Sequence, residues 1–274
     1  MGSMSGSTAL TMDQLRLTAP SVFSGHPKDG LSSKYEFVPT IDVVDMLAEK
    51  NWFPVKAQEV PAKDASFRQY QKHMLRFRNF NEEQQSNMVV GDTFIEMVLT
   101  NSHNGRASFI FNLGLWRLAC SNGMVVSEST FAQVTIRHCC FQARQAAQIC
   151  GDIVQSAPNL MEEINILRQI ELKRMDQFVF AQMASLIRFG NKTIDSDLIL
   201  APRREADSGT DLWTVYNVVQ ENLTKGNLPY IKIDKSGNTN HMHTTEIKAI
   251  DSSIKLNKRL WTLVQDTKSK LLSA

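Results

Sequence analysis

The stretch Tyr35–Asn79, YEFVPTIDVVDMLAEKNWFPVKAQEVPAKDASFRQYQKHMLRFRN, decides the fold. It opens on a β-prone run, Tyr35-Glu36-Phe37-Val38, that Pro39 stops. A compact amphipathic helix follows, with Ile41, Val44, Met46, Leu47 and Trp52 mostly to one side and Asp42, Asp45, Glu49 and Lys50 elsewhere. Thr40 stands at the N-cap position, where a hydroxyl accepts from the free amides of the first turn. Asp42 and Asp45 then lie near the positive end of the helix dipole. Two further β-prone runs, Trp52–Val60 and Gln69–Phe77, complete a unit of strand, short helix, strand, strand. In the second run His73, Leu75 and Phe77 alternate with Met74, Arg76 and Arg78. Between Lys63 and Phe80 five Lys or Arg face one Asp, a surplus of four positive charges, so the hairpin offers a surface suited to a polyanion.

Outward from this unit the chain reads first as sheet, then as helix. Asn81–Asn87 is a polar turn, Gly91–Thr100 a strand, and Asn104-Gly105 a tight turn, because both residues tolerate positive φ. Ala107–Leu118 follows as a strand, ambiguous with helix in its second part, with Gly114 marking a bulge or a close backbone approach. After Ser121-Asn122-Gly123 comes a last strand, Met124–His138, with one wet face. The sum is a meander of four or five antiparallel strands over residues 52–138. Helical spacing then governs Phe141–Gln155 and the apolar series Leu160, Ile164, Leu167, Met175, Phe178, Val179, continuing to Phe189 with Gly190 as C-cap. Asp211–Lys225 is a helix capped by Asp211 and ended by Gly226; Asn227–His243 is a looser polar stretch; Glu246–Leu272 is the last helix. The expected class is α+β, an antiparallel β-meander with a short helix in the N-terminal half and a helical C-terminal half. The expected division is a flexible Ser/Gly/Pro-rich segment 1–33, a β-rich core with the basic hairpin at 34–140, and a helical region at 141–274 packing on it. Met1-Gly2-Ser3-Met4 reads as a cloning remnant ahead of a start at Met4.

Composition bounds the chemistry. The 274 residues, 42% hydrophobic and 21% charged, suit a globular protein with a real core, and the net charge of +2 confines any nucleic-acid footprint to a local patch. Four cysteines (Cys120, Cys139, Cys140, Cys150), no leader and no apolar run of membrane-spanning length point to a reduced, cytoplasmic setting without membrane. There is no Gly-rich phosphate loop, nucleophile elbow, His-Glu-x-x-His or Cys-x-x-Cys, so no enzyme activity and no cofactor is expected. His241 and His243 lack an evident third metal ligand. Asp195, Asp197, Asp207 and Asp211 have no spacing that fixes two metal ions, and Asp195 or Ser196 and Asp211 read more simply as helix caps.

The basic residues carry the functional expectation. Alternation puts Arg76 and Arg78 on one side of their strand with Lys72 beyond, where guanidinium groups fork onto phosphate or stack on a base. A solvated edge guarded by charge is the competing reading. Arg203 and Arg204 form a second candidate, against which stands simple pairing with Glu205 and Asp207; Arg106, Arg117 and Arg137 would extend a groove across the sheet. His73 or Phe77 is a candidate for stacking on a base, with Phe77 also reading as core.

Two resemblances bear on these residues. MLRFRN (74–79), NSHNGRASF (101–109), WRLACSNGMVV (116–126) and APRR with DLWTVYNVVQENLTKG (201–226) resemble a phage- and plasmid-encoded domain family of unknown function. The shorter stretch from Tyr35 to Asn79, with its Asn51-Trp52 step before a basic hairpin, is similar to the core of the single-strand annealing proteins, the recombination-mediator superfamily. That likeness implies ATP-independent binding of single-stranded DNA, annealing of complementary strands, and homo-oligomeric rings or filaments in a bacterial host cytoplasm. Replication proteins of phage or host are further expected partners. The long helical second half departs from that pattern. An alternative class is a mobile-element protein that inhibits a host defence or host enzyme by direct protein binding.

Overall fold

The computed structural model describes residues 8–33, 35–80, 89–90, 93–117, 124–126, 134–136, 159–190, 192–233 and 236–273. The chain divides into two compact units, Met1–Met161 and Glu162–Ala274. The class is α+β, with an antiparallel meander in the N-terminal half and helices in the C-terminal half.

Unit 1 begins with order where flexibility was expected. Thr11 and Gln14 form a reciprocal capping box, which starts α1 (Met12–Thr18). Leu15, Ala19 and Val22 are fully buried, so this segment is part of the core. The Tyr35–Val38 run is not a strand. Helix α2 (Thr40–Ala48) buries Val43, Val44 and Leu47, and ends where Asn51 turns the chain at φ +63°. Thr40 is its first helical residue, not its cap, and its hydroxyl points inward.

The sheet follows in the order β1 (Trp52–Glu59), β2 (His73–Asn79), β4 (Thr93–Asn101), β5 (Phe109–Arg117), β6 (Met124–Val126). Two short strands lie off this path, β3 (Val89–Val90) on β4 and β7 (Val134–Ile136) on β5. Of the strand expected over Met124–His138, the described parts are β6 and β7, each paired with β5, and the rest lies outside the described residues. Pro54 sits in β1 at the sheet edge, beside an irregularity in register, where a missing N–H is tolerated. The expected strand start at Gln69 is instead a 3-10 helix, Ala65–Tyr70, capped by Asp64, whose carboxylate accepts from the Ser66 amide.

One face of the sheet holds Leu75, Phe77, Met97, Leu99, Phe109 and Phe111, in register as Leu75–Leu99 and Phe77–Met97. The opposite face is also covered: Val98 and Thr100 are at most 1% exposed. In a sheet buried on both sides, alternation no longer separates core from solvent.

Unit 2 is helical around α6 (Leu212–Lys225), of whose 14 residues twelve are buried. It packs against α4 (Arg174–Phe189), α5 (Ser196–Leu200) and α7 (Ile250–Leu272). Helix α3, over 159–169, is separated from α4 by a break at 170–173, pinned by a bridge between Glu171 and Asp211, so the expected single run is two helices. The caps Asp195, Asp211, Gly190 and Gly226 stand where the sequence placed them. Buried Asn222 donates to the Ile199 and Ala201 carbonyls, both at 2.9 Å, closing the end of α5. The polar stretch after α6 is a β-hairpin, β8 (Pro229–Ile233) with β9 (Thr239–His243). The helix expected over Phe141–Gln155 and all four cysteines lie outside the described residues.

Candidate nucleic-acid interface

Burial removes Arg76 and Arg78 from the wet face expected of them; they are 7% and 6% exposed. Register explains why. Arg76 lies opposite Val98 and Phe77 opposite Met97, so one step further along β2 brings Arg78 beside Glu96, the central carboxylate of β4. Arg78 donates to Glu96 Oε1 through Nε at 2.8 Å, and Arg76 pairs with Oε2. Burial pushes the Glu96 carboxyl up while the two guanidinium groups pull it down. Burial, with Arg78 beside it, lowers Arg76 to about 10, against the pull of Glu96, so it remains cationic at neutral pH. Lys56, opposite Arg76 on β1, is lowered by burial and by that same cation.

The other face of β2 carries a neutral polar network. His73 is fully buried, as are Ser21, Thr40, Asn101 and His103. Asn101 donates to Thr40 Oγ1 at 3.0 Å, which leaves the Thr40 hydroxyl proton for His73 Nε2 at 2.8 Å. His73 Nδ1 then carries the proton and donates to the Gln71 carbonyl at 3.1 Å. Burial lowers His73 to about 4, so the ring is uncharged in the folded protein at neutral pH. His73 and Phe77, both fully buried, are not placed to stack on a ligand.

The remaining candidates separate by unit. Lys72 is half-buried at the mouth of the β1–β2 loop, where its carbonyl accepts from Val60 N at 2.8 Å. Arg117 lies in β5, and its side chain, like all of Arg137, is outside the described residues. In unit 2, Arg203 donates to Asn222 Oδ1 at 2.7 Å and to the Gly226 carbonyl at 3.4 Å. Arg204 pairs with the buried carboxylates Asp207, at 2.6 Å, and Glu221, at 2.9 Å. Both arginines are thus tied to α6 and its flanks.

Among the described members of the expected set, Arg106 is exposed, and it lies beside residues the sequence did not single out. With Lys28, Lys63, Asp64, Phe67 and Tyr70 it lines a cleft of about 420 Å³ in unit 1. Three cations face one carboxylate there, a surplus of two positive charges. The Lys63 and Arg106 side chains make no hydrogen bond or ion pair with described residues. Phe67 is 40% exposed, and the Lys28 ammonium lies 4.4 Å from its ring centroid. Backbone bonds hold the walls: Lys28 N donates to the His103 carbonyl at 2.8 Å, and His103 N to the Tyr70 carbonyl at 3.2 Å. Gly105 shapes the rim at φ +72°, and a Cβ there would meet Leu31 Cδ2 at 2.9 Å. Hydrogen bonds from Ser66 N–H and Oγ hold the Asp64 carboxyl below its ordinary range, so it stays ionised. Tyr70 fell within the β-prone run Gln69–Phe77 and Phe67 within no expected element; the interleaving of aromatics with Lys63 and Arg68 in KDASFRQY was the signal. Arg68 itself is spent on Glu59, at 3.6 Å, and the Leu17 carbonyl. The cleft can hold an anion and offer a ring face.

In unit 2, His241 and His243 sit on exposed β9, and among the described residues no three His, Cys, Asp or Glu side chains converge on one point. No helix among the described residues is long and apolar enough to cross a membrane.

A family model described as a domain of unknown function, DUF932, matches residues 29–261. Among curated proteins, the chain is 31% identical to the UPF0380 protein YafZ of Escherichia coli K12 over 258 residues, 93% of this chain and 90% of that protein. It is 32% identical to the UPF0380 protein YfjQ of the same strain over 264 residues, 96% of this chain and 93% of that protein. No solved structure matches.

Proposed function

We propose that this chain, which belongs to the DUF932 family, binds single-stranded DNA without ATP and brings complementary strands together, as an oligomeric recombination protein of a phage or plasmid. The observation that carries the reading is the open cleft, where the Lys63 and Arg106 side chains have no partner among the described residues and an aromatic ring is 40% exposed. Cations left unpaired on a surface that is otherwise nearly neutral are suited to phosphate, whose condensed counterions are released on contact. No chemical step is required of such a surface. Backbone contacts therefore move from Arg76 and Arg78, which Glu96 occupies, to Lys63, Arg106 and Lys28.

The test is binding of a fluorescent single-stranded oligonucleotide at low and moderate salt, with oligomer size followed by light scattering. Wild type should bind in a salt-sensitive way as an assembly larger than one chain. Lys63→Glu/Arg106→Glu should lose that binding while remaining folded. Absence of binding by the wild type at low salt would sink the reading.

A second reading rests on a different observation. Met175, Val179, Met183 and Leu186 lie on one side of α4 and are 72%, 51%, 46% and 56% exposed. An uncharged helical stripe of this kind suits contact with another protein, and it supports the alternative in which the chain inhibits a host enzyme or defence by direct binding. Tight capture of one host protein, without any affinity for DNA, would select that reading.

A further inference from the structure

We infer that the cleft takes a single unpaired nucleotide, its base against Phe67 and its phosphate on the Lys63 and Arg106 side chains. This rests on the single-strand reading above and adds to it: one base per chain is withdrawn from pairing while the strand is held.

The argument is one of size, surface and rigidity. About 420 Å³ falls within the range of small-ligand sites, roughly 300–1,000 Å³, and a double helix is far too wide to enter such a space. A ring that is 40% exposed beside cations offers a surface that a nucleobase can cover through its own π-face. Bases within a duplex already have both faces stacked, so Phe67 can receive only a base that is out of the stack. Stacking on a phenyl ring does not read the base edge, so the site is tolerant of sequence. The Lys28 ammonium at the same ring adds a third cation within reach of the strand's phosphates. The walls are preformed, through the backbone bonds of His103 to Lys28 and Tyr70, the Asn104 side chain accepting from Arg106 N at 3.1 Å, and the Asp64 cap. Little ordering is needed on binding.

The consequence differs from a groove that leaves every base free. A strand lying along several copies of the chain would carry periodic unavailable bases, and pairing with a complement would begin at the bases between them.

The experiment compares two oligonucleotides of equal length and charge, one ordinary single-stranded DNA and one made wholly of abasic deoxyribose phosphate. Wild type should bind the abasic strand about 5- to 150-fold more weakly, the range expected for one base–aromatic stack. Phe67→Leu should weaken binding of ordinary DNA and erase the difference between the two strands, while Phe67→Trp should keep it. Equal affinity of wild type for both strands would overturn the inference and leave the single-strand reading standing. An unaltered preference in Phe67→Leu would equally overturn the place given to the ring. Failure of ordinary single-stranded DNA to bind at low salt would overturn the single-strand reading itself, so the two failures are distinguishable.

Discussion

Two groups of cations in unit 1 show what the same chemistry does in two settings. Arg76 and Arg78 project from neighbouring positions on one face of β2, and a single carboxylate, Glu96 of the adjacent strand, holds both in a water-poor environment. Lys28, Lys63 and Arg106 come from three loops far apart in sequence and meet around an open cleft with one ionised aspartate among them. In the first group the charges are consumed by structure, because removing a guanidinium from water is tolerable only with a counter-charge at hydrogen-bond distance. In the second they are left for solvent or a ligand. A dense cluster of Arg and Lys in the sequence therefore marks a place where charge is present, and the strand beside it decides whether that charge is available.

The comparison breaks most readily at Glu96. Glu96→Ala leaves two buried guanidinium groups without their carboxylate, and urea unfolding should show a loss of about 3 to 5 kcal/mol. A loss within experimental error would mean that the face is wetter than its burial implies, and would return Arg76 and Arg78 to the list of available cations.

A smaller effect should come from His73 on the opposite face of the same strand. Its folded value of about 4 lies below the ordinary 6.5, so the unfolded chain takes up the proton first as pH falls. Stability from this residue is complete above pH 6.5, declines between 6.5 and 4, and levels off below. Between pH 7.5 and pH 5 the decline should be ~2 kcal/mol, read from unfolding curves at the two pH values. His73→Gln should be less stable at neutral pH and should flatten this dependence. A slope unchanged in the variant would assign the pH effect to another group.

The smallest effect on stability belongs to the cleft. Lys63→Ala/Arg106→Ala should shift unfolding by no more than ~0.5 kcal/mol per site, since neither side chain has a partner to lose among the described residues. The same protein should bind single-stranded DNA more weakly and with a shallower dependence on salt. A large destabilisation would show that these cations, like Arg76 and Arg78, hold the fold together.

Much of the architecture was legible because it depends on local chemistry. Thr-Ile-Asp-Val-Val-Asp-Met-Leu-Ala reads as a short helix from its apolar spacing, and Asn104-Gly105 as a turn from the tolerance of both residues for positive φ, which Gly105 adopts at +72°. Asp211 and Gly226 bound α6 as expected, because capping involves only residues within one turn. Thr40 was misjudged because two demands compete for one hydroxyl. The N-cap role is visible along the chain, whereas His73 and Asn101, which bind it, are distant in sequence and near only once the sheet has formed. The 8–33 segment looked loose by its Ser, Gly and Pro content, yet Leu15, Ala19 and Val22 anchor it, since three well-spaced apolar residues and a capping box outweigh composition.

The sequence by itself determined the class of fold, the meander before the helices, the ends of α6, and the presence of surplus positive charge between Lys63 and Phe80. These follow from periodicity, capping and counting, all of which act over a few residues. Only the tertiary structure decided which of those charges are spent and which are offered. That choice depends on strand register, which sets Glu96 beside Arg78, and on loop convergence, which brings Lys28 and Arg106 to Phe67. Burial and proximity between residues remote in sequence fix the cost of a charge, and neither is written in the chain's local order.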